Sequence, residues 1–296
     1  MDSFSISDLA QYSGIKPHTI RIWEKRYNAL KPDRSLGNTR HYNNSHLRRL
    51  LNISGLLNTD NKVSELCAMS DEKLECLNGQ ILQSESSGPN RYFISQLISA
   101  ALHYDEVLFT NLFSHCLLRF GLKDTYLNVL YPVLVRIGLM WQTGKMATAS
   151  EHFISNLVRQ KFFTTLDSLP PFRESSSTWI LFLPENEFHE LGLLMANYLL
   201  RISGCRVIYL GMNVPVSSVR TAVKQLRPDH ILLFFVHNDM PENLQNYLDK
   251  LGKDLPVKKI YAALDPGLAS QVKKGKKIHF LQSPGELERI LSENPV

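Results

Sequence analysis

Between Arg91 and Leu169, apolar residues recur at i, i+3, i+4 and i+7: first Phe93, Leu97, Ile98 and Ala101, then Val107, Leu108, Leu112, Phe113 and Cys116. That spacing puts them on one face of successive helices. Turn signals at Tyr104-Asp105, Gly121 and Gly144 divide the stretch into about four helices, a small bundle that Pro170-Pro171 ends. Beyond it the period changes. Strand-like runs at Trp179–Leu183, Arg206–Leu210, Ile231–Val236 and Lys259–Ala263 alternate with helical patterns at Glu190–Ser203, Ser217–Leu226 and Glu242–Lys250. Such alternation predicts right-handed βαβ units and a doubly wound parallel sheet of the Rossmann-like α/β class.

The N-terminal segment has a third pattern. A short helix over Ser7–Ser13, a tight turn at Gly14 and a second helix opened by Lys16-Pro17 are predicted. The second helix carries His18, Thr19, Arg21, Lys25 and Arg26 around an apolar spine of Ile20, Ile22 and Trp23. A helix-turn-helix has this form because its second helix shows polar and cationic groups to the major groove while its back is buried. The following Gly37-Asn38-Thr39-Arg40-His41-Tyr42 predicts a wing, and helices are expected at Ser45–Leu57 and Lys62–Met69. The polar run from Gln83 to Asn90 reads as a linker. The expected organisation is multidomain: a winged helix-turn-helix over 1–77, a linker over 78–90, a four-helix bundle over 91–171 and the α/β domain over 172–296.

Charge sharpens this division. The net charge is +5, and residues 1–52 hold nine Lys/Arg against four Asp/Glu, so the whole excess lies there. Basic charge gathered on one small domain is what phosphate contact requires; a merely solvated basic surface is the bland alternative. The chain of 296 residues, 44% hydrophobic and 21% charged, has no apolar run of about 18 residues and no leader-like start. Neither a membrane span nor a signal peptide is read, and a cytoplasmic location is expected. Cys67, Cys76, Cys116 and Cys205 lack metal-site spacing and are expected to be reduced, buried thiols.

Two constellations can carry chemistry, and neither is a catalytic set. After the first strand of the sheet comes Glu187-Phe188-His189-Glu190-Leu191-Gly192. A His at a parallel sheet's carboxyl edge reaches a ligand above it, a carboxylate two residues earlier can orient its other ring nitrogen, and the Gly permits close backbone approach. A solvated loop His is the competing reading. In the bundle, Trp141 ends one helix while Glu151 and His152 begin the next, so the three can face a common cavity; alternatively Trp141 and Phe153 are core and His152 is simply exposed.

These residues also carry a resemblance. Pro17–Tyr27 followed by Arg34, Gly37, Asn38, Arg40 and Tyr42 resembles the MerR-family DNA-binding domain over residues 4–70. The resemblance implies a winged helix-turn-helix binding operator DNA as a dimer, with His18, Thr19 and Arg21 on the recognition helix and Arg34, Arg40 and Tyr42 at wing and phosphates. Residues 91–296 resemble the helical cap and cobalamin-binding Rossmann module shared with methionine synthase. The whole order is similar to the CarA/CarH/LitR family of light-responsive repressors. For that family the resemblance implies Trp141, Glu151 and His152 closing over the adenosyl group of adenosylcobalamin, and Glu187, His189 and Gly192 below it, with His189 as the cobalt ligand.

The chain departs from that family's pattern at several points. Glu187 stands for Asp; Leu233-Phe234-Phe235-Val236-His237 stands where a serine is usual; Ala262-Ala263 replaces Gly-Gly; and Gln142 follows the Trp. The third and fourth strands line the slot for the cofactor's dimethylbenzimidazole tail, and two phenylalanines there can fill it. Two readings follow. In one, the chain is a non-enzymatic repressor whose C-terminal half senses adenosylcobalamin, and light through it, by controlling assembly into a dimer or tetramer on DNA. In the other, the same regulator has a cofactor-free C-terminal half that self-associates or docks an antirepressor. A cobalamin enzyme would need a substrate barrel of about 250 residues, for which the chain has no room.

Overall fold

The computed structural model describes residues 4–34, 38–57, 61–81, 90–144, 146–172, 177–235, 244–264, 266–270, 272–273, 275 and 277–293. The chain divides into two compact units, 1–157 and 158–296. The expected linker falls largely on residues 82–89, outside those described.

In the first unit, α1 (Ile6–Ser13) starts one residue before the expected helix because Ser5 caps it. The Ser5 hydroxyl accepts from Asp8 N at 3.3 Å, and Ser5 N donates to Asp8 Oδ2 at 2.7 Å, which satisfies two exposed amides reciprocally. Gly14, at φ 69°, closes the helix and turns the chain into α2 (Pro17–Tyr27), whose proline sits where no amide is needed. The wing is a pair of two-residue antiparallel strands, β1 (Asp33–Arg34) and β2 (Arg40–His41); the expected turn glycine, Gly37, lies outside the described residues. Next come α3 (Asn44–Leu56), α4 (Val63–Ala68) and α5 (Asp71–Ile81). The last is not expected from the sequence, because Asn78 and Gly79 interrupt a weak helical pattern carried by Leu74, Leu77 and Ile81.

Leu9, Tyr12, Ile20, Trp23, Leu47, Leu50 and Leu51 form this module's buried core. Its irregular segments converge on one side chain, Arg49. Nε donates to Ala29 O at 2.8 Å, Nη2 to Cys67 O at 2.8 Å and Met69 O at 2.9 Å, and Nη1 to Asp71. A single guanidinium thus takes up the carbonyls left at the ends of α2 and α4.

The bundle follows as α6 (Asn90–His103), α7 (Glu106–Thr125), one π-helical turn at Tyr126–Leu130, α8 (Tyr131–Gln142) and α9 (Thr148–Asp167). Gly121, expected to be a turn, is a kink inside α7 (φ 70°, ψ 169°). The DNA-binding module is not isolated from this bundle. α3 runs along α6, where Gln96 Nε2 donates to buried Asn52 Oδ1 at 2.9 Å. From α8, the Arg136 guanidinium covers Gly14 so closely that a β-carbon there would lie 2.8 Å from Nη2. Burial, and Arg91 nearby, hold the pKa of Arg136 below its usual value.

The second unit alternates β3 (Thr178–Pro184), α10 (Glu190–Ile202), β4 (Arg206–Val214), α11 (Val216–Leu226), β5 (His230–Phe235), α12 (Leu244–Asp254), β6 (Lys259–Leu264), α13 (Pro266–Ala269), β7 (Ile278–Leu281) and α14 (Pro284–Glu293). The strands pair in parallel in the order β4-β3-β5-β6-β7. The four expected strands are present. β4 runs on to Val214 past a bulge at Gly211. The short β7 was missed because only four residues, after a lysine-rich loop, announce it. Ile180, Phe182, Ile231, Leu233 and Phe235 pack with Val219 and Val223 of α11 and Leu248 and Leu251 of α12, while α10 and α14 lie against each other. Connections leave β3 and β5 in opposite directions, so the topological switch point lies between their carboxyl ends.

Replacing Arg49 by Ala should lower the stability of the first unit by about 2–3 kcal/mol, since charged groups and helix-end carbonyls lose their partners together. Arg49→Lys should recover only part, lacking the fork. Denaturant unfolding followed by circular dichroism measures both.

Candidate DNA-binding and cofactor sites

On α2, His18, Arg21, Lys25 and Arg26 are exposed and Thr19 is half-buried, a contiguous cationic surface. Arg34 on β1 is exposed, and its Nη1 donates to Asn38 Oδ1 at 2.6 Å. The other two wing residues turn to one carboxylate of α2. Arg40 Nε donates to Glu24 Oε2 at 3.0 Å, and the Tyr42 hydroxyl donates to Glu24 Oε1. Tyr42 is 1% exposed, which corrects the expectation that it reaches phosphate. Burial, with the Glu24 carboxylate adding to it, pushes its phenol pKa far up, so it stays a hydrogen donor. Glu24 was not picked out from the sequence; the available signal was one carboxylate within an otherwise basic recognition helix. Its buried oxygens fix the wing to α2, which sets the spacing between the wing and that helix.

In the second unit, β3 delivers the chain to Glu187, whose carboxylate is almost wholly buried. Glu187 Oε1 accepts from Phe188 N at 2.9 Å, from His189 N at 3.0 Å and from His189 Nδ1 at 2.6 Å. An ionised carboxylate only accepts, so Nδ1 carries the hydrogen and the basic lone pair is on Nε2, the atom a metal takes. The His189 side chain is 46% exposed, at the N-cap of α10. On its other flank Glu190, 5% exposed, accepts from Arg159 Nε at 2.8 Å and the Tyr209 hydroxyl at 2.9 Å. A half-exposed imidazole is therefore held by one buried carboxylate and followed in the chain by a second. The Glu-x-His-x-x-Gly run was legible in the sequence, whereas Arg159 and Tyr209 were not, being 31 and 19 residues from Glu190.

The first turn of α10 also contains Gly192. A β-carbon there would lie 3.0 Å from Phe234 Cε1 and 3.2 Å from Cδ1, so the Phe234 ring lies against the helix. Phe235 does not share that crevice. It faces the opposite side of the sheet, in edge contact with Tyr247 at 5.6 Å, so only one of the two phenylalanines can fill the expected slot. Val236 and His237 lie outside the described residues.

In the first unit, Trp141 is 41% exposed rather than core, and its Nε1 donates to Thr148 Oγ1 at 3.0 Å. That bond ties the end of α8 to the start of α9, whose first turns carry Glu151 and His152. His152 Nδ1 lies 2.6 Å from Glu151 Oε2, and Ser155 Oγ donates to Glu151 Oε1 at 2.5 Å. The side chain of Gln142 is outside the described residues. Cys67, Cys116 and Cys205 are buried, and burial raises their thiols, to about 11 for Cys67 and about 12 for Cys116; Cys76 is exposed, contrary to expectation. Among the described residues no cluster of three or more His, Cys, Asp or Glu could hold a metal ion, and no helix is long and apolar enough to cross a membrane.

Residues 4–70 match the model of the MerR HTH family regulatory proteins, and residues 94–164 match a B12 binding domain. The chain is thus a DNA-binding transcriptional regulator of the MerR type that carries a B12-binding domain. The HTH-type transcriptional repressor CarA of Myxococcus xanthus is 30% identical over 82% of this chain and 80% of its own length. CarH of the same organism is 29% identical over 86% of each chain. The chain belongs to this CarA/CarH family of transcriptional repressors, and its role is regulatory rather than enzymatic. A monomethylamine corrinoid protein from Methanosarcina barkeri superposes with a TM-score of 0.55 at 14% identity, over 69% of this chain and 99% of that one, a likeness of fold.

The residues present fit a corrinoid unevenly. The Glu187–His189 pair presents the nitrogen that a cobalt would take. The crevice beside it, where a bulky tail would need space, holds Phe234.

Tyr42→Phe should leave Glu24 short of a donor, lower stability by about 1–3 kcal/mol and weaken DNA binding while leaving its salt dependence unchanged. Arg21→Ala should instead reduce the slope of log affinity against log salt by about one unit. Binding isotherms at several salt concentrations separate the two effects.

Proposed function

We propose that this protein is a repressor that binds operator DNA as a homo-oligomer through α2 and the wing, and that its C-terminal half reads adenosylcobalamin. The observation that carries this reading is the Glu187–His189 pair: a half-exposed imidazole at the sheet's carboxyl edge, its tautomer set by a buried carboxylate. His189 would hold the cobalt, and Trp141, Glu151 and His152 are the residues that the family resemblance assigns to the adenosyl group. When bound, adenosylcobalamin supplies a light-labile cobalt–carbon bond. Assembly into a dimer or tetramer places several cationic heads on one operator, which raises affinity through multivalency.

The DNA side of this reading follows from charge placement. The exposed cations of α2 can neutralise phosphates, while the carboxylate of that helix, Glu24, is turned inward and spent on the wing. One observation favours the second reading, in which the C-terminal half is cofactor-free and docks a partner such as an antirepressor or a second copy: Phe234 fills the crevice next to His189.

The experiment is a dark titration with adenosylcobalamin, read by visible absorption and by size-exclusion chromatography and repeated after illumination. A coloured complex with a changed oligomeric state, lost in His189→Ala, is expected. A colourless protein whose DNA binding is indifferent to His189→Ala would establish the cofactor-free reading.

A further inference from the structure

Cobalamin carries its own lower ligand, a dimethylbenzimidazole on a nucleotide loop. A protein imidazole that takes the same cobalt face must displace that base, which stays tethered and needs space near the imidazole. In an open α/β sheet that space is the crevice at the topological switch point, here between the carboxyl ends of β3 and β5. Gly192, one turn into α10, lines its helix side. The chain itself fills it. Phe234, next to last in β5, sends its ring to within 3.0 Å of where a Gly192 β-carbon would stand. Ala263 pairs with it in register on β6, adding a methyl where a glycine would leave space. Leu233 and Phe235 belong to the core on the other face and leave this crevice to Phe234 alone.

We propose that Phe234 is a specificity-determining plug: the module takes a corrinoid by its ring and by His189, with the lower nucleotide left outside the fold. The inference rests on the reading of His189 as cobalt ligand. A site of this kind gains nothing from the dimethylbenzimidazole tail. It therefore accepts corrinoids with other lower bases, or with none, as well as it accepts cobalamin. Most of the selectivity a tail pocket provides comes from burying a flat aromatic group, and here the protein's own ring already occupies that volume.

The test titrates the full-length protein with hydroxocobalamin and with aquacobinamide, which lacks the nucleotide, following the visible spectrum. Wild type should bind the two within about threefold of each other, or cobinamide more tightly. Phe234→Ala should strengthen cobalamin binding by about tenfold or more while leaving cobinamide unchanged. Phe234→Leu keeps most of the volume and should behave as wild type; circular dichroism checks that each variant is folded. His189→Ala should weaken both ligands. Wild type that prefers cobalamin by tenfold or more and loses it in His189→Ala would overturn the plug while leaving the ligand reading intact. Binding of neither corrinoid, or binding indifferent to His189→Ala, overturns both.

Discussion

A carboxylate removed from water must have its oxygens saturated with hydrogen bonds, and that requirement organises the cofactor side of this molecule. At Glu187 two backbone amides and one imidazole converge on Oε1. The loop after β3 has little choice of conformation once those three donors are committed, and the ring of His189 goes where the carboxylate sends it. Glu190 repeats the solution with side chains, using an arginine from α9 and a tyrosine from β4. Arg159 of α9 and Tyr209 of β4 thereby fix the start of α10 at Glu190, the residue next to His189.

The DNA-binding module uses the same device. Glu24 faces inward among exposed cations, and its two oxygens take Arg40 and Tyr42. The exposed face of α2 is then left to cations because the helix's carboxylate has been turned away from it. Arg49 is the counterpart: a guanidinium drawn inward to collect carbonyls that helix ends leave without amide partners. Among the described residues the cations exposed on α2 stay free of carboxylates, and inward-facing charges fix the spacing between the elements that carry them. Arg136 over Gly14 and the Asn52–Gln96 bond extend this framing into the bundle, so that α1 and α3 pack against helices outside the DNA-binding module.

Much of this was legible in the sequence because the relevant signals are local. Helical and strand periods gave the bundle and four of the strands, and Glu187-x-His189-x-x-Gly192 lies within six residues. What was not legible depends on contacts between distant segments. Arg159 and Tyr209 look like ordinary surface and strand residues until the fold brings them to Glu190. Tyr42 looks like a wing residue open to solvent until Glu24 is seen beneath it. Trp141 follows an apolar pattern and yet is 41% exposed at the helix junction, where its indole nitrogen donates to Thr148. Phe234 and Phe235 read together as filling one slot, yet β5 sends Phe235 into the core of the other face, and only the approach to Gly192 shows that Phe234 is the one beside α10.

The two features that meet at the switch point pull stability in opposite directions. Filling the crevice with Phe234 adds apolar contact and stabilises the fold without any ligand. Burying Glu187 to hold a half-exposed imidazole does the reverse: the carboxylate's desolvation is only offset by its three donors, and an apolar side chain would close the same loop with less penalty. A module retired from ligand binding would gain from losing the carboxylate as well as from gaining the phenylalanine. Here the costly polar pair stands intact on the rim while the interior beside it is closed. That combination is what a site requires when its ligand rests on the sheet edge, held by one nitrogen, and never enters the fold below.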